Sequence, residues 1–299
     1  VLPCCFAYLN ITLPNQKPKW FCSPGCIFIA KGNKVAAKGG ILLLPERRIL
    51  KTLGRLEGKV GLYLEDVNSG ELFTVNPERA FPAASTIKIP ILAALFKRAA
   101  EGKLNLTAEL SLTPKNRVGG SGVLSELNPK LRPTVLDLAI LMIIQSDNAA
   151  TNELIDLVGM EPVNVLIQSL GLKQTVLHRK MMDTVAAQSG RDNFTSARDM
   201  GLLLRLLVNG QVVSKDVSAR IIDIMKRQQL GNKLPSLLPE EITVAHKTGD
   251  LYLLEHDVGI FFLPERTYIL AMLTNKLTTN ADGARCIAEV SRIVYEKLK

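Results

Sequence analysis

Strand-like sequence lies toward both ends of this 299-residue chain and helical sequence fills the middle, an order that few folds accommodate. Residues 59–66 (KVGLYLED) alternate and are rich in β-formers. Asn68-Ser69-Gly70 then supplies a turn, and residues 71–76 read as the returning strand. Further strands are expected at 242–246, 258–263 and 268–273, followed by a last helix over 281–298. A short helix over 46–56 precedes the first strand. In the middle, a helix over 86–100 ends at Gly102, and one over 134–145 opens on the capping box Thr134-x-x-Asp137. Another opens on Ser196-x-x-Asp199 and closes at Asn209-Gly210. Most strands have no crossover helix between them, so they are expected to pair antiparallel through short turns. The expected class is α/β. An antiparallel sheet flanked by terminal helices is assembled from about 46–80 and 240–299, and an all-helical lobe is inserted over about 81–239. Residues 1–45 stand apart as a segment of unassigned role, with no signal-peptide layout and no periodic patterning.

Composition narrows the function. Hydrophobic residues make up 47% and charged residues 22%, which excludes wholesale disorder. The net charge of +9 raises the question of nucleic acid, but Lys17, Lys19, Lys31, Lys34 and Lys38 lie in a segment without Asp or Glu, leaving +4 for the rest. A nucleic-acid stripe is therefore not expected. No apolar run is long enough for a membrane span. Four of the five cysteines (Cys4, Cys5, Cys22 and Cys26) fall in the first 26 residues, so a disulfide framework for the body is excluded, and Cys286 reads as a small buried apolar residue. No His precedes His178, and His178, His246 and His256 show no HxxxH pairing. Neither a metal nor another cofactor is expected.

Three short polar motifs carry the chemistry. Ser85-Thr86-Ile87-Lys88 follows Phe81-Pro82-Ala83-Ala84 at the start of a helix. Positions i and i+3 share a face there, so an amine can take the proton of a hydroxyl, provided burial or a nearby cation lowers its pKa. Helix-start N–H groups favour developing negative charge. Pro90 inside this helix is a local conflict of the kind that marks functional sites. Ser146-Asp147-Asn148 follows the apolar run 138–144; Ser146 can relay a proton, Asn148 can bind a substrate amide and Asp147 can brace the loop. Lys247-Thr248-Gly249 ends a strand, where a cation and a hydroxyl can grip a carboxylate and a glycine lets backbone approach closely. Each motif alone also reads as ordinary structure: two polar residues in a first turn, a helix cap, an edge strand with an exposed lysine.

Together, in this order and on these elements, the three resemble the signature of class A β-lactamases and penicillin-binding proteins. Gly120-Ser121-Gly122-Val123-Leu124, Ser146 through Asn152 and His256-Asp257-Val258-Gly259-Ile260 extend the likeness, which covers roughly 46–299. It implies a β-lactamase-like two-lobe fold with Ser85 as the acylated nucleophile and Lys88 as its proton partner. It further implies that Ser146, Asn148, Lys247 and Thr248 bind substrate and shuttle protons, and that the N–H groups of Ser85 and Asp250, flanking Gly249, form an oxyanion hole. The implied partner is a small β-lactam or a cell-wall peptide, met outside the cytoplasm in the periplasm or as a secreted protein; oligomeric state is left open. His246 is expected to point away from the cleft, as strand neighbours alternate, and His256 to lie near its rim. The family's usual arginine near the carboxylate pocket is not evident, and Lys233 is the substitute to consider.

One departure matters most. Class A β-lactamases carry a loop glutamate that activates the deacylating water. Residues 179–184 (RKMMDT) and 190–193 (GRDN) contain none. Asp183 is the nearest stand-in, and Asp192 is expected to pair with Arg179 or Arg191. Three readings follow: a β-lactamase-like hydrolase acylated at Ser85 and released slowly, a penicillin-binding D-Ala-D-Ala peptidase, or a binding protein on the same scaffold. Retention of both Ser85 and Lys88 argues against the last.

Overall fold

The computed structural model describes residues 29–31 and 44–299. In chain order the elements are β1 (Ile29–Lys31), α1 (Glu46–Leu53), β2 (Lys59–Asp66), β3 (Leu72–Val75), β4 (Phe81–Pro82), a 3₁₀ turn (Ala84–Ile87) and α2 (Lys88–Ala100). There follow α3 (Val135–Ile144), α4 (Asn148–Val158), α5 (Met160–Ser169), α6 (Thr184–Gln188), β5 (Phe194–Thr195), α7 (Ala197–Val208) and α8 (Lys215–Lys226). The chain closes with β6 (Thr243–Leu251), β7 (Leu254–Leu263), β8 (Arg266–Asn275) and α9 (Asn280–Leu298).

Six strands form one antiparallel sheet in the order β1-β3-β2-β8-β7-β6. The pleat divides each strand between two cores. Along β8, Tyr268, Leu270 and Met272 join Ile49 and Leu53 of α1 and Ile287, Val290 and Val294 of α9. Ile269, Ala271 and Leu273 point the other way, into a larger core with Met200, Leu203 and Leu204 of α7 and the apolar residues of α2. Helix α2 is buried over Lys88–Phe96, which is why its sequence is apolar on every side. Helices therefore cover both faces, the α/β arrangement that the sequence implied.

Several local expectations change. The sheet gains an edge strand, β1, from the first segment. The segment's four cysteines lie outside the described residues. Strands β6, β7 and β8 run longer than the apolar pattern suggested, because Lys247, Thr248, His256 and Asp257 are buried polar residues in mid-ladder. Pro90 is no conflict: it falls in the first turn of α2, where backbone N–H groups have no intrahelical partner in any case. The box at Thr134 forms, with Asp137 N–H donating to Thr134 and the Asp137 carboxylate accepting the Thr134 N–H. Among the described residues no helix is long and apolar enough to cross a membrane.

Candidate active site

Ser85 and Lys88 are one 3₁₀ turn apart. Phe81 and Pro82 pair with Thr195 and Phe194, and the Ala83 N–H donates to the Asn193 carbonyl at 2.8 Å. This fixes the chain entering the turn. Ala84, directly before the serine, is held at φ 47°. With three residues per turn, positions i and i+3 of such a turn share a face, and this places Ser85 and Lys88 on one side of it. Ser85 is partly exposed, whereas Lys88 is wholly buried. Its Nζ donates to the Ser146 carbonyl at 2.6 Å and to Asn148 Oδ1 at 2.9 Å, and lies 3.3 Å from Ser146 Oγ. All are neutral oxygens, and no ion pair to Lys88 occurs among the described residues. Burial, and then the charge of Lys247, hold its pKa well below the ordinary lysine value.

Ser146 occupies the α3–α4 junction at φ 53°, another strained position next to the chemistry. Asp147 makes that strain possible. Its Oδ1 caps α4 through the Ala150 N–H, and its Oδ2 accepts the N–H groups of Val123 at 2.7 Å and Leu124 at 2.8 Å. Asp147 therefore braces the loop as expected. Gly122, at φ 105°, presses against this carboxylate; a Cβ there would come within 2.3 Å of Asp147 Cγ. Asn148 is fully engaged, with Nδ2 donating to the Gly119 carbonyl at 3.0 Å and Oδ1 holding Lys88.

Strand β6 supplies the third side. Lys247 Nζ donates to Ser146 Oγ at 3.0 Å and to the Thr248 carbonyl at 3.0 Å, and burial lowers its pKa to about 7. Ser146 Oγ thus sits between two lysine amines and can pass a proton onward. Gly249 is where the strand brushes the serine turn: a Cβ there would lie 3.3 Å from the Ser85 nitrogen and 3.2 Å from Ala84 Cβ. The Thr248 hydroxyl is buried and has no hydrogen-bond partner among the described residues.

The histidines are structural. His246 points away from Lys247, its Nδ1 lying 2.9 Å from Asp257 Oδ1. His256 is not at a rim. It is wholly buried, donates from Nε2 to the Pro82 carbonyl at 2.8 Å and accepts the Thr274 N–H at Nδ1. Burial pushes its pKa down to about 4, so the neutral ring ties β7 and β8 to the strand that enters the Ser85 turn. The sequence pattern gave no sign of this, because nothing local distinguishes a buried histidine from one at a cleft.

The loop 179–193 is tied down by an ion pair and hydrogen bonds and lacks the glutamate in question. Arg179 Nε meets Asp192 Oδ1 at 2.7 Å, the pair expected, and Asn193 Oδ1 accepts the N–H groups of His178 and Arg179. Asn152 of α4 exchanges two hydrogen bonds with the Met181 backbone, at 2.8 and 3.1 Å. Asn152, Asn193 and Met181 are positioning residues that the motifs did not single out. Asp183 has a different task from the one expected: exposed, it caps α6 by accepting the Ala186 N–H at 3.0 Å. Met182, at φ 63°, turns the chain between them.

Lys233 does reach β6. Its buried Nζ lies 2.5 Å from Asp250 Oδ1, 2.5 Å from Glu255 Oε2 and 3.4 Å from the Gly249 carbonyl. The two carboxylates, with Asp257, outweigh its burial and raise its pKa.

Comparison with known proteins agrees with this geometry. A family model described as "Beta-lactamase enzyme family" matches residues 45–298. Beta-lactamase SME-1 of Serratia marcescens is 24% identical over 292 residues, 95% of this chain and 98% of its own. The crystal structure of a beta-lactamase from Sphaerobacter thermophilus superposes with a TM-score of 0.77 at 31% identity, covering 84% of this chain and 95% of that one. PBP-A, whose structure has also been determined for a variant acylated by penicillin G, gives 0.77 at 34% identity, over 85% of this chain and 98% of its own.

Proposed function

Because this chain belongs to the beta-lactamase enzyme family, we propose that it is a serine acyl-transfer enzyme that β-lactams acylate at Ser85 and that releases the product slowly. The neutral Lys88 amine takes the Ser85 proton as Oγ attacks the lactam carbonyl. The N–H groups of Ser85 and Asp250 receive the oxyanion. The C–N bond then breaks, and Ser146 hands a proton to the departing nitrogen, restored through Lys88 and Lys247. Lys247 and Thr248 hold the substrate beside the scissile bond on this reading. Release requires water attack on the ester. The loop carries no glutamate to activate that water, and Asp183 is engaged through one oxygen as the cap of α6.

The observation that carries the reading is Lys88: a wholly buried amine whose partners are the neutral oxygens of Ser146 and Asn148. Such an amine favours its unprotonated form, which is the base the serine needs. Fluorescent penicillin tests it. The full-length protein should retain the label through denaturing electrophoresis, and Ser85→Ala should not. Labelling that survives in Ser85→Ala, or an unlabelled wild type, refutes the assignment.

A second reading, a peptidase for peptides ending in D-Ala-D-Ala, is supported by the missing loop carboxylate and by the likeness to PBP-A. On either reading the substrate is met outside the cytoplasm.

A further inference from the structure

The face of β6 that carries Thr248 and Asp250 is already occupied by a carboxylate. Lys233, fully buried, is the cation behind that face, and its Nζ is met by Asp250 and Glu255 at 2.5 Å each and by the His256 carbonyl at 3.2 Å. Of the two carboxylates, Glu255 is inward: its side chain is 7% exposed, and Asn280 Nδ2 donates to its Oε1 at 2.7 Å. Asp250 is outward, with 45% of its side chain exposed. Two residues away on the same face, the Thr248 hydroxyl is buried with no partner among the described residues, a donor waiting for an acceptor. An anion entering beside Ser85 would seek Lys233 and Thr248, and it would find Asp250 on the lysine.

We propose that Asp250 is a specificity-determining residue: its carboxylate stands in for the carboxylate of a substrate, so the site selects acyl donors that are neutral or cationic at this position over those bearing a free carboxylate. The inference rests on the acyl-transfer reading above and names the substrate class for it, amide- or ester-blocked compounds and peptides that continue past the scissile bond. Charge supports the geometry. Burial pushes the Asp250 carboxyl up, but the adjacent Lys233 reverses this and keeps it ionised, whereas burial raises Glu255. This exposed, ionised carboxylate repels a second one and denies it the charge-assisted bond to Lys233.

The test compares penicillin G with its methyl ester, each acylation rate being divided by that compound's rate with hydroxide to remove intrinsic reactivity. Intact mass of the full-length protein reads the adduct. Wild type should acylate the ester at least as fast as the acid. Asp250→Ser vacates the position and keeps the backbone N–H; it should speed acylation by the acid about 10-fold or more, and by the ester less than about 3-fold. Asp250→Asn, which removes charge but not bulk, should fall between. A wild type that prefers the acid, or equal effects of both substitutions on the two compounds, overturns the proposal. If neither compound labels Ser85 in any of the three proteins, acyl transfer itself falls, and this inference with it.

Discussion

A lysine amine in a dry site, with no carboxylate opposite, is more stable without its proton, and Lys88 is such a lysine. Arginine keeps the hydrogen bonds of a cation but cannot give up its charge. Lys88→Arg should therefore lower the acylation rate by about 10²–10⁴-fold at unchanged fold, measured with a chromogenic β-lactam; a loss under tenfold would assign the proton to another group. The same burial links stability to pH. Lys247 loses its proton near pH 7 in the folded protein and near 10.5 unfolded, and Lys88 is displaced in the same direction. Across that interval the unfolded chain binds more protons, so stability rises with pH. Cys286 opposes this above about pH 9, since burial moves its thiol from 9.0 up to about 12. Urea midpoints should rise from pH 7 to about 9 and then level or fall; a flat profile over pH 7–9 contradicts buried, depressed amines. At this scale the gathering of Lys88, Ser146 and Lys247 was legible from the three motifs taken together and the resemblance they carry. His256 and the Lys233 cluster were not, because their roles depend on partners brought from other strands and loops, and the Asp183 cap is made to Ala186 within a helix too short to show a period.

Elements turn those residues into a site by holding the backbone where it does not rest of its own accord. Ala84, Ser146 and Met182 all have positive φ, and each sits at a turn facing the catalytic cluster. The Gly122–Asp147 contact locks the Ser146 turn. Gly122→Ala should cost about 2 kcal/mol or more in stability, combining the strain of φ 105° with a clash against Asp147, and should weaken acylation as well. Gly119→Ala, where added Cβ meets open space, should change stability by less than about 0.5 kcal/mol. Equal effects would show that the contact bears no strain. Helices with clear caps, at Thr134 and Ser196, were readable in the sequence. The five-residue α6 and the α5 helix, which starts directly after α4 at Gly159, lacked a distinct apolar period of their own. Strand β6 was read as ending at His246, because a polar run looks like a loop until its buried partners are known.

For the whole molecule, the strand–helix–strand order foretold a sheet with an inserted helical region, and the two cores on opposite faces of the sheet realise it. Turn, junction and strand converge at the boundary of the larger core, and the 179–193 loop is pinned beside them by Asn152. That loop distinguishes a slow acyl-enzyme from a fast hydrolase. Met181 is the loop residue bonded to α4 one turn beyond Asn148, which itself holds Lys88. Met181→Glu places a carboxylate on the loop residue whose backbone is tied to α4 and should speed release of the acyl group about 10-fold or more; an unchanged release rate would show that the loop does not limit turnover. The central claim is most directly tested by intact mass spectrometry of the full-length protein after brief mixing with penicillin G and removal of excess ligand. The account predicts one covalent adduct on Ser85 that persists for minutes. No adduct, or one gone within seconds, would contradict it.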